Sequence, residues 1–311
     1  MPLLEKLCQL AAKAESVEGT AETLAGADVV TVKNFKFDPN VEMDKRDMVS
    51  SSLSGWGFVS GARSAKIEFD LELKGSGTPE TPPALGKFLK CCGFSETIDP
   101  ASPESVTYQP ASSGVSSMTL AGYIDGIIQK IWGARGDVSL DLTAGKIGLL
   151  HFVFTGADFS EVDGALLSSG VSYETTVPPA FLSALFTIDS LSPVFSKLAI
   201  KMGNSVVLRP DGNAASGNKS AVITGREPGL SFDPETALMA ICDFSTKLKA
   251  NNLATFTTTI GSTVGNIITI TAPKVQYTSV KSASRNGYLS KGIDCSLNRN
   301  AGNDELVITF T

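Results

Sequence analysis

The sequence predicts a mainly β protein of α+β type with few helices, and three observations carry that prediction. From Lys66 to Lys74 the residues alternate, with Ile67, Phe69, Leu71 and Leu73 on one face of an extended chain and Lys66, Glu68, Asp70, Glu72 and Lys74 on the other. That period of two is a half-buried strand. Similar runs recur along the whole length, separated by turn dipeptides. Composition agrees: hydrophobic residues are 42% and charged ones only 19%, with 29 glycines, as suits sheets joined by turns.

Taken in order, Leu3, Leu7, Leu10 and Ala14 fit one stripe of a short helix, and the Glu18-Gly19-Thr20 turn suits an extended arm equally well. Val29 to Phe37 reads as a strand. A segment of roughly two dozen residues, Asp38 to Gly61, then interrupts the pattern carrying Met48, Leu53, Trp56 and Phe58, far beyond the usual ~4–6-residue connection. Such a loop is expected to be either disordered or ordered by a partner, in the second case with those four residues as apolar anchors between subunits or rings.

After the strand ending at Lys74 comes the best-signalled helix. Thr81 suits its cap, Pro82 and Pro83 its first turn, Leu85, Phe88, Leu89 and Cys92 its apolar face, and Gly93 its end. Ser116 to Tyr123, Ile127 to Trp132, Asp137 to Thr143 and Ile147 to Thr155 read as a meander, with turns at Asp125-Gly126, Ala134 to Gly136 and Ala144-Gly145. The loose stretch Asp158 to Thr176 followed by Pro178-Pro179 marks a boundary. The expected units are an N-terminal arm (1–28), a first β domain (29–160), a linker (161–180) and a second β domain (181–311). The second half reads again as strands, with a helix between Glu235 and Ala250.

Two fragment pairs hint at duplication: Leu142 to Gly156 resembles Thr259 to Pro273, and Asn34 to Pro39 echoes Gly229 to Pro234. Their offsets differ, so no single register aligns the halves.

Chemistry is sparse. The net charge of -6 argues against tight binding to a nucleic-acid backbone, which needs clustered Lys and Arg. His151 is the one histidine; its apolar strand suits a hydrogen-bonded core or interface residue rather than a general base. No nucleophile elbow, P-loop or complete dinucleotide fingerprint occurs, and the five cysteines are scattered without zinc spacing, so they read as reduced, mostly buried thiols. Asn218-Lys219-Ser220 matches a glycosylation acceptor by coincidence, because the N-terminus lacks the pattern of a signal peptide. No apolar run reaches the ~18–20 residues of a membrane helix. No enzyme, cofactor, metal or membrane span is expected. Glu68, Asp70 and Glu72 share a strand face, and Asp137, Ser139 and Asp141 repeat the arrangement, as in a wall that faces water and a polyanion without attracting it.

Several segments resemble the major tail tube proteins of long-tailed bacteriophages, of the two-domain type. They are Ala11 to Leu24 with its Glu15-Ser16-Val17-Glu18-Gly19-Thr20 feature, Glu72 to Phe94 with Gly-Ser-Gly and then a Pro-led helix ending in Cys-Gly-Phe, and, in the second half, Lys201 to Gly212, Ile223 to Glu235 and Asn300 to Phe310. The resemblance implies two β-sandwich or half-barrel domains, each with one or two flanking helices, that join their neighbours in a ring with a continuous inner β-barrel. Rings of three copies imitating six would stack into a tube for genome passage. Implied partners are further copies, the tape-measure, terminator and baseplate or tip proteins, and DNA in transit; the implied location is the virion tail, made in the bacterial cytoplasm. Glu68, Asp70 and Glu72 are the lumen-facing candidates. The alternatives are the tube of a related bacterial secretion or injection system and a carbohydrate-binding β-sandwich surface module.

Overall fold

The structure, a computed structural model, describes residues 3–311. In the first half the strands are β1 (Cys8–Ala14), β2 (Val29–Val30), β3 (Lys33–Lys45), β4 (Phe58–Glu72), β5 (Phe94–Asp99), β6 (Ser105–Pro110), β7 (Met118–Ile124), β8 (Gly126–Thr143), β9 (Leu149–Gly156) and β10 (Asp158–Gly164). Helix α1 (Gly86–Cys91) lies between β4 and β5. The second half holds β11 (Thr187–Ile188), β12 (Phe195–Lys201), β13 (Asn204–Pro210), β14 (Asn218–Arg226), β15 (Gly229–Pro234), β16 (Leu253–Ile260), β17 (Ile268–Arg285), β18 (Tyr288–Leu297) and β19 (Val307–Phe310). Helix α2 (Phe244–Ala250) lies between β15 and β16. Strands take 53% of the chain and helices 5%, so the fold is mainly β; the sheets are antiparallel and no barrel closes within the chain.

The two halves repeat one design. In the first, four strands pair in the order β3-β4-β9-β8; in the second the order is β12-β15-β18-β17. Both orders place the first, second, fourth and third strands of a repeat side by side, and in both a helix follows the second strand. A single displacement carries the pair Lys36↔Glu68 onto Ala199↔Ser231 and Phe37↔Ile67 onto Ile200↔Leu230. The true counterpart of Ile67-Glu68-Phe69-Asp70-Leu71-Glu72 is therefore Leu230-Ser231-Phe232-Asp233-Pro234-Glu235. Neither fragment pair noticed in the sequence lies at equivalent positions: Asn34 to Pro39 belongs to a first strand and Gly229 to Pro234 to a second, while Leu142 to Gly156 and Thr259 to Pro273 fall on different hairpins. Alternating apolar residues make any two strands look alike, and only hydrogen-bond register tells them apart.

The third strands, β8 and β17, each have 18 residues and serve two sheets. Their first parts pair with β7 and β10, and with β16 and β19; their later parts enter the four-stranded sheets. The break expected at Ala134 to Gly136 is thus a bend inside one strand. There Gly133 takes a φ of +60°, and the buried positions shift phase through Gly133 and Ala134. In the second half β17 likewise runs unbroken through Pro273.

Other expectations change. The N-terminal segment is extended, as strand β1 antiparallel to β7, rather than helical. Leu10 and Ala12 enter the main core while Ala11 joins a second cluster with Leu24, Val29, Ala121 and Tyr123, so both faces are covered. The Glu15 carboxylate accepts hydrogen bonds from Gly19 N (2.8 Å), Ser117 Oγ (2.6 Å), Thr119 Oγ1 (3.0 Å) and Gly133 N (2.6 Å), tying the following turn to β7 and to the bend of β8. Gly19 is needed there: its φ is +77°, and a Cβ would stand 2.3 Å from Lys219 O. The 161–180 stretch, expected as a linker, packs in part on the first half. Its first residues belong to β10, paired with β8, and Leu166, Leu167 and Val171 pack on the second cluster.

Each helix is shorter than its sequence signals. Helix α1 begins at Gly86 behind an uncapped Leu85. Helix α2 begins at Phe244, where the Asp243 side chain accepts from Thr246 N. Phe88 of α1 packs against Phe69, Phe152 and Phe154 with ring centroids 5.0, 5.5 and 6.1 Å away. Phe244 of α2 meets Phe232, the counterpart of Phe69, at 6.0 Å. One buried cluster draws on both halves, and β6 pairs with β19 across them.

All five cysteines are free. Burial pushes the Cys91 and Cys295 thiols up to about 12 and Cys92 well above its ordinary 9.0, and it also raises the Tyr108 and Tyr277 phenols. These groups stay protonated when folded and ionise readily only when unfolded. Their stabilising effect is complete below the unfolded thiol value of about 9 and is lost as pH rises toward 12. Denaturant titrations should show falling stability from about pH 9 upward; a flat profile to pH 11 would contradict this burial.

Candidate assembly interface

The four-stranded sheets of the two halves join edge to edge. Strand β8 pairs with β12 through Ser139↔Lys201, Leu140↔Ile200, Asp141↔Ala199, Leu142↔Leu198 and Thr143↔Lys197. The product is one eight-stranded sheet, β3-β4-β9-β8-β12-β15-β18-β17. Its core face is lined by residues such as Ile67, Phe152, Leu140, Leu198 and Phe232. The other face is polar and open.

Among the described residues β3 pairs with β4 alone, and β17 beyond Val280 with β18 alone. Both ends of the sheet therefore present an unpaired row of N–H and C=O groups, the hazard that natural edge strands usually blunt. On β3 the side chains facing the core, Phe35 and Phe37, are only half-buried.

The polar face is mixed rather than acidic, which corrects the expectation of a repelling wall. Glu68 is 3.6 Å from Lys36 Nζ, and Glu72 2.7 Å from Lys33 Nζ. Asp70 accepts from Asn34 Nδ2 at 2.5 Å and lies 2.7 Å from His151 Nδ1. On β12 Lys201 follows opposite Ser139 and Lys197 opposite Thr143, on either side of the Asp141–Ala199 pair. Alternation within β4 identified the face correctly but carried no information about which charges the neighbouring strands lay beside it. Asp137, farther along β8, has its carboxyl pushed up by burial while it accepts from Asn204 N at 2.8 Å.

His151 is half-exposed on this face. Ser139 stands opposite it on the flank away from Asp70, so Asp70, His151 and Ser139 form a row across three strands. Among the described residues the His151 ring is hydrogen-bonded to Asp70, and no hydrogen bond joins it to Ser139.

The expected 38–61 loop is mostly a hairpin arm. Strands β3 and β4 stay paired from Asp38↔Lys66 out to Lys45↔Phe58, leaving only residues 46–57 outside regular structure. Leu53 and Val49 are fully exposed, Phe58 is 60% exposed, and Met48, Trp56, Met43 and Val59 are also open. Arg46 lies 5.3 Å from the Trp56 ring centroid, a cation–π contact within the arm itself. Such a row of apolar residues on a projecting hairpin is unusual for an isolated chain, which makes the arm a candidate contact surface.

Thus the arm brings Met48, Leu53, Trp56 and Phe58 to one projecting tip, and β4 brings Glu68, Asp70 and Glu72 to the open face of the sheet. Sequence reasoning missed the two free edges and the Lys33 and Lys36 partners. No protein-family model matches the chain, and no curated protein does either.

Proposed function

We propose that this chain is the structural subunit of a tube built from stacked rings, of the kind found in the tails of long-tailed phages, and that it acts as a conduit rather than a catalyst. One observation carries the reading: an eight-stranded sheet, polar on one face and core-packed on the other, runs through both repeats and ends in two unpaired edges. Edges of this kind are satisfied when copies join head to tail, and a heterologous contact whose rotation closes gives a ring.

Three copies, as the resemblance implies, would close about 24 strands. With ~4.8 Å between strands and a tilt of ~35–45°, the backbone ring would be about 45–50 Å across, leaving an open lumen. The face carrying Glu68, Asp70 and Glu72 would line it. Its interleaved acids and lysines offer no run of cations for DNA to hold, so passage would be weakly attractive at most. The hairpin arms would reach the next ring. On this reading the partners are further copies, tape-measure, terminator and baseplate or tip proteins, and DNA in transit, in the tail of a virion. No helix among the described residues is long and apolar enough to cross a membrane.

Negative-stain microscopy and sedimentation of concentrated protein test the reading. Rings or tubes are expected; a species that stays monomeric at every concentration would overturn it.

A further inference from the structure

We propose that the β8–β12 joint inside one chain is the template for the joint between chains, with β17 of one copy pairing antiparallel with β3 of the next in a defined register. The inference rests on the ring reading above and specifies its contacts. Matching the two repeats through their shared pairings equates β8 with β17, Val138↔Phe152 corresponding to Val280↔Ile293, and β12 with β3, as already shown. The five pairs of the internal joint then translate to Lys281 opposite Asp38, Ser282 opposite Phe37, Ala283 opposite Lys36, Ser284 opposite Phe35 and Arg285 opposite Asn34.

Two independent features fit that register. Lys281 and Asp38, both exposed, meet as opposite charges. On the core side the internal joint sets Leu140 and Leu142 against Ile200 and Leu198; between chains the small Ser282 and Ser284 would face the larger Phe37 and Phe35, which are the half-buried residues of the edge. The joint between chains would be one hydrogen bond shorter than its template. Met202 N donates to Val138 O at the end of the internal joint at 2.9 Å, and its counterpart on β3 is Pro39, which has no N–H to give.

The turn of the hairpin follows the same rule. Ala144 N donates to Ser196 O at 2.9 Å inside the chain. Its counterpart is Asn286 of the Asn286-Gly287 turn, which would meet Lys33 of the next copy. There an open cavity of about 510 Å³ is lined by Val30, Val32, Leu71, Leu85 and Val177. Tyr288, 66% exposed, stands beside the turn and would cover it.

Oxidative cross-linking decides the register. Directly opposed antiparallel residues have Cα atoms about 4.5–5.5 Å apart, within the reach of a disulfide. The double variant Lys36→Cys with Ala283→Cys should give covalent oligomers up to a closed ring on non-reducing denaturing gels, and each single variant only monomer. Asp38→Cys with Lys281→Cys, the next pair on the same face, is an independent second reading. Asn34→Cys with Ala283→Cys, two residues out of register, should link poorly. If wild-type rings are visible and the shifted pair links instead, or neither expected pair links, the register is wrong although rings stand. If wild type forms no rings and no pair links, the ring reading itself fails.

Discussion

Trp56→Ala combined with Leu53→Asp is expected to leave rings intact and abolish their growth into tubes. Both side chains stand on the tip of the arm, away from the buried cluster, so folding should not depend on them. An aromatic anchor buried at an interface typically contributes about 1–4 kcal/mol. Every copy in a ring carries the same arm, so the loss repeats around the ring and the whole stacking contact weakens. The thermal midpoint of the dissociated chain should stay within about 2 °C of wild type, because surface changes without partners rarely exceed ~0.5 kcal/mol. Microscopy should then read single rings where wild type is expected to give tubes. Tubes of normal length, or a variant that unfolds, would show that the arm has a different role.

Phe88→Ala should have the largest effect on stability, a loss of about 3–5 kcal/mol. The ring is fully buried and packs against Phe69, Phe152 and Phe154, so truncation leaves a cavity between a one-and-a-half-turn helix and the sheet. Domain stabilities of about 5–15 kcal/mol leave little margin for that. Helix α1 has only six residues and no side-chain cap, so it depends on this contact rather than on its own propensity. Denaturant unfolding measures the change, and a loss below about 1 kcal/mol would mean that the site collapses around the missing ring. Phe244→Ala, at the equivalent helix of the second repeat, should behave similarly.

Local pattern was legible in the sequence, and long-range pattern was not. The alternation of Lys66 to Lys74 gave β4 its buried and open faces correctly, because strand periodicity is a property of a few adjacent residues. Gly93, at a φ of +85°, ends its helix as its position suggested. By contrast β8 looked like two strands, since glycine in a strand signals a bend and a turn equally well. The 38–61 segment looked like a loop because its strands are exposed on both faces and so lack alternation. Lys33 and Lys36 beside the acidic stripe, the equivalence of Phe69 with Phe232, and the two free edges all depend on which strands pair. That information lies in no single stretch of the chain.

The eight-stranded sheet closing on copies of itself is tested most directly by the mass of one ring. Mass measurement of unstained tubes by scanning transmission electron microscopy, divided by the axial repeat, should give three chains of 32.5 kDa per ring. A ring of any other number of chains, or tubes whose rings do not close, would contradict it.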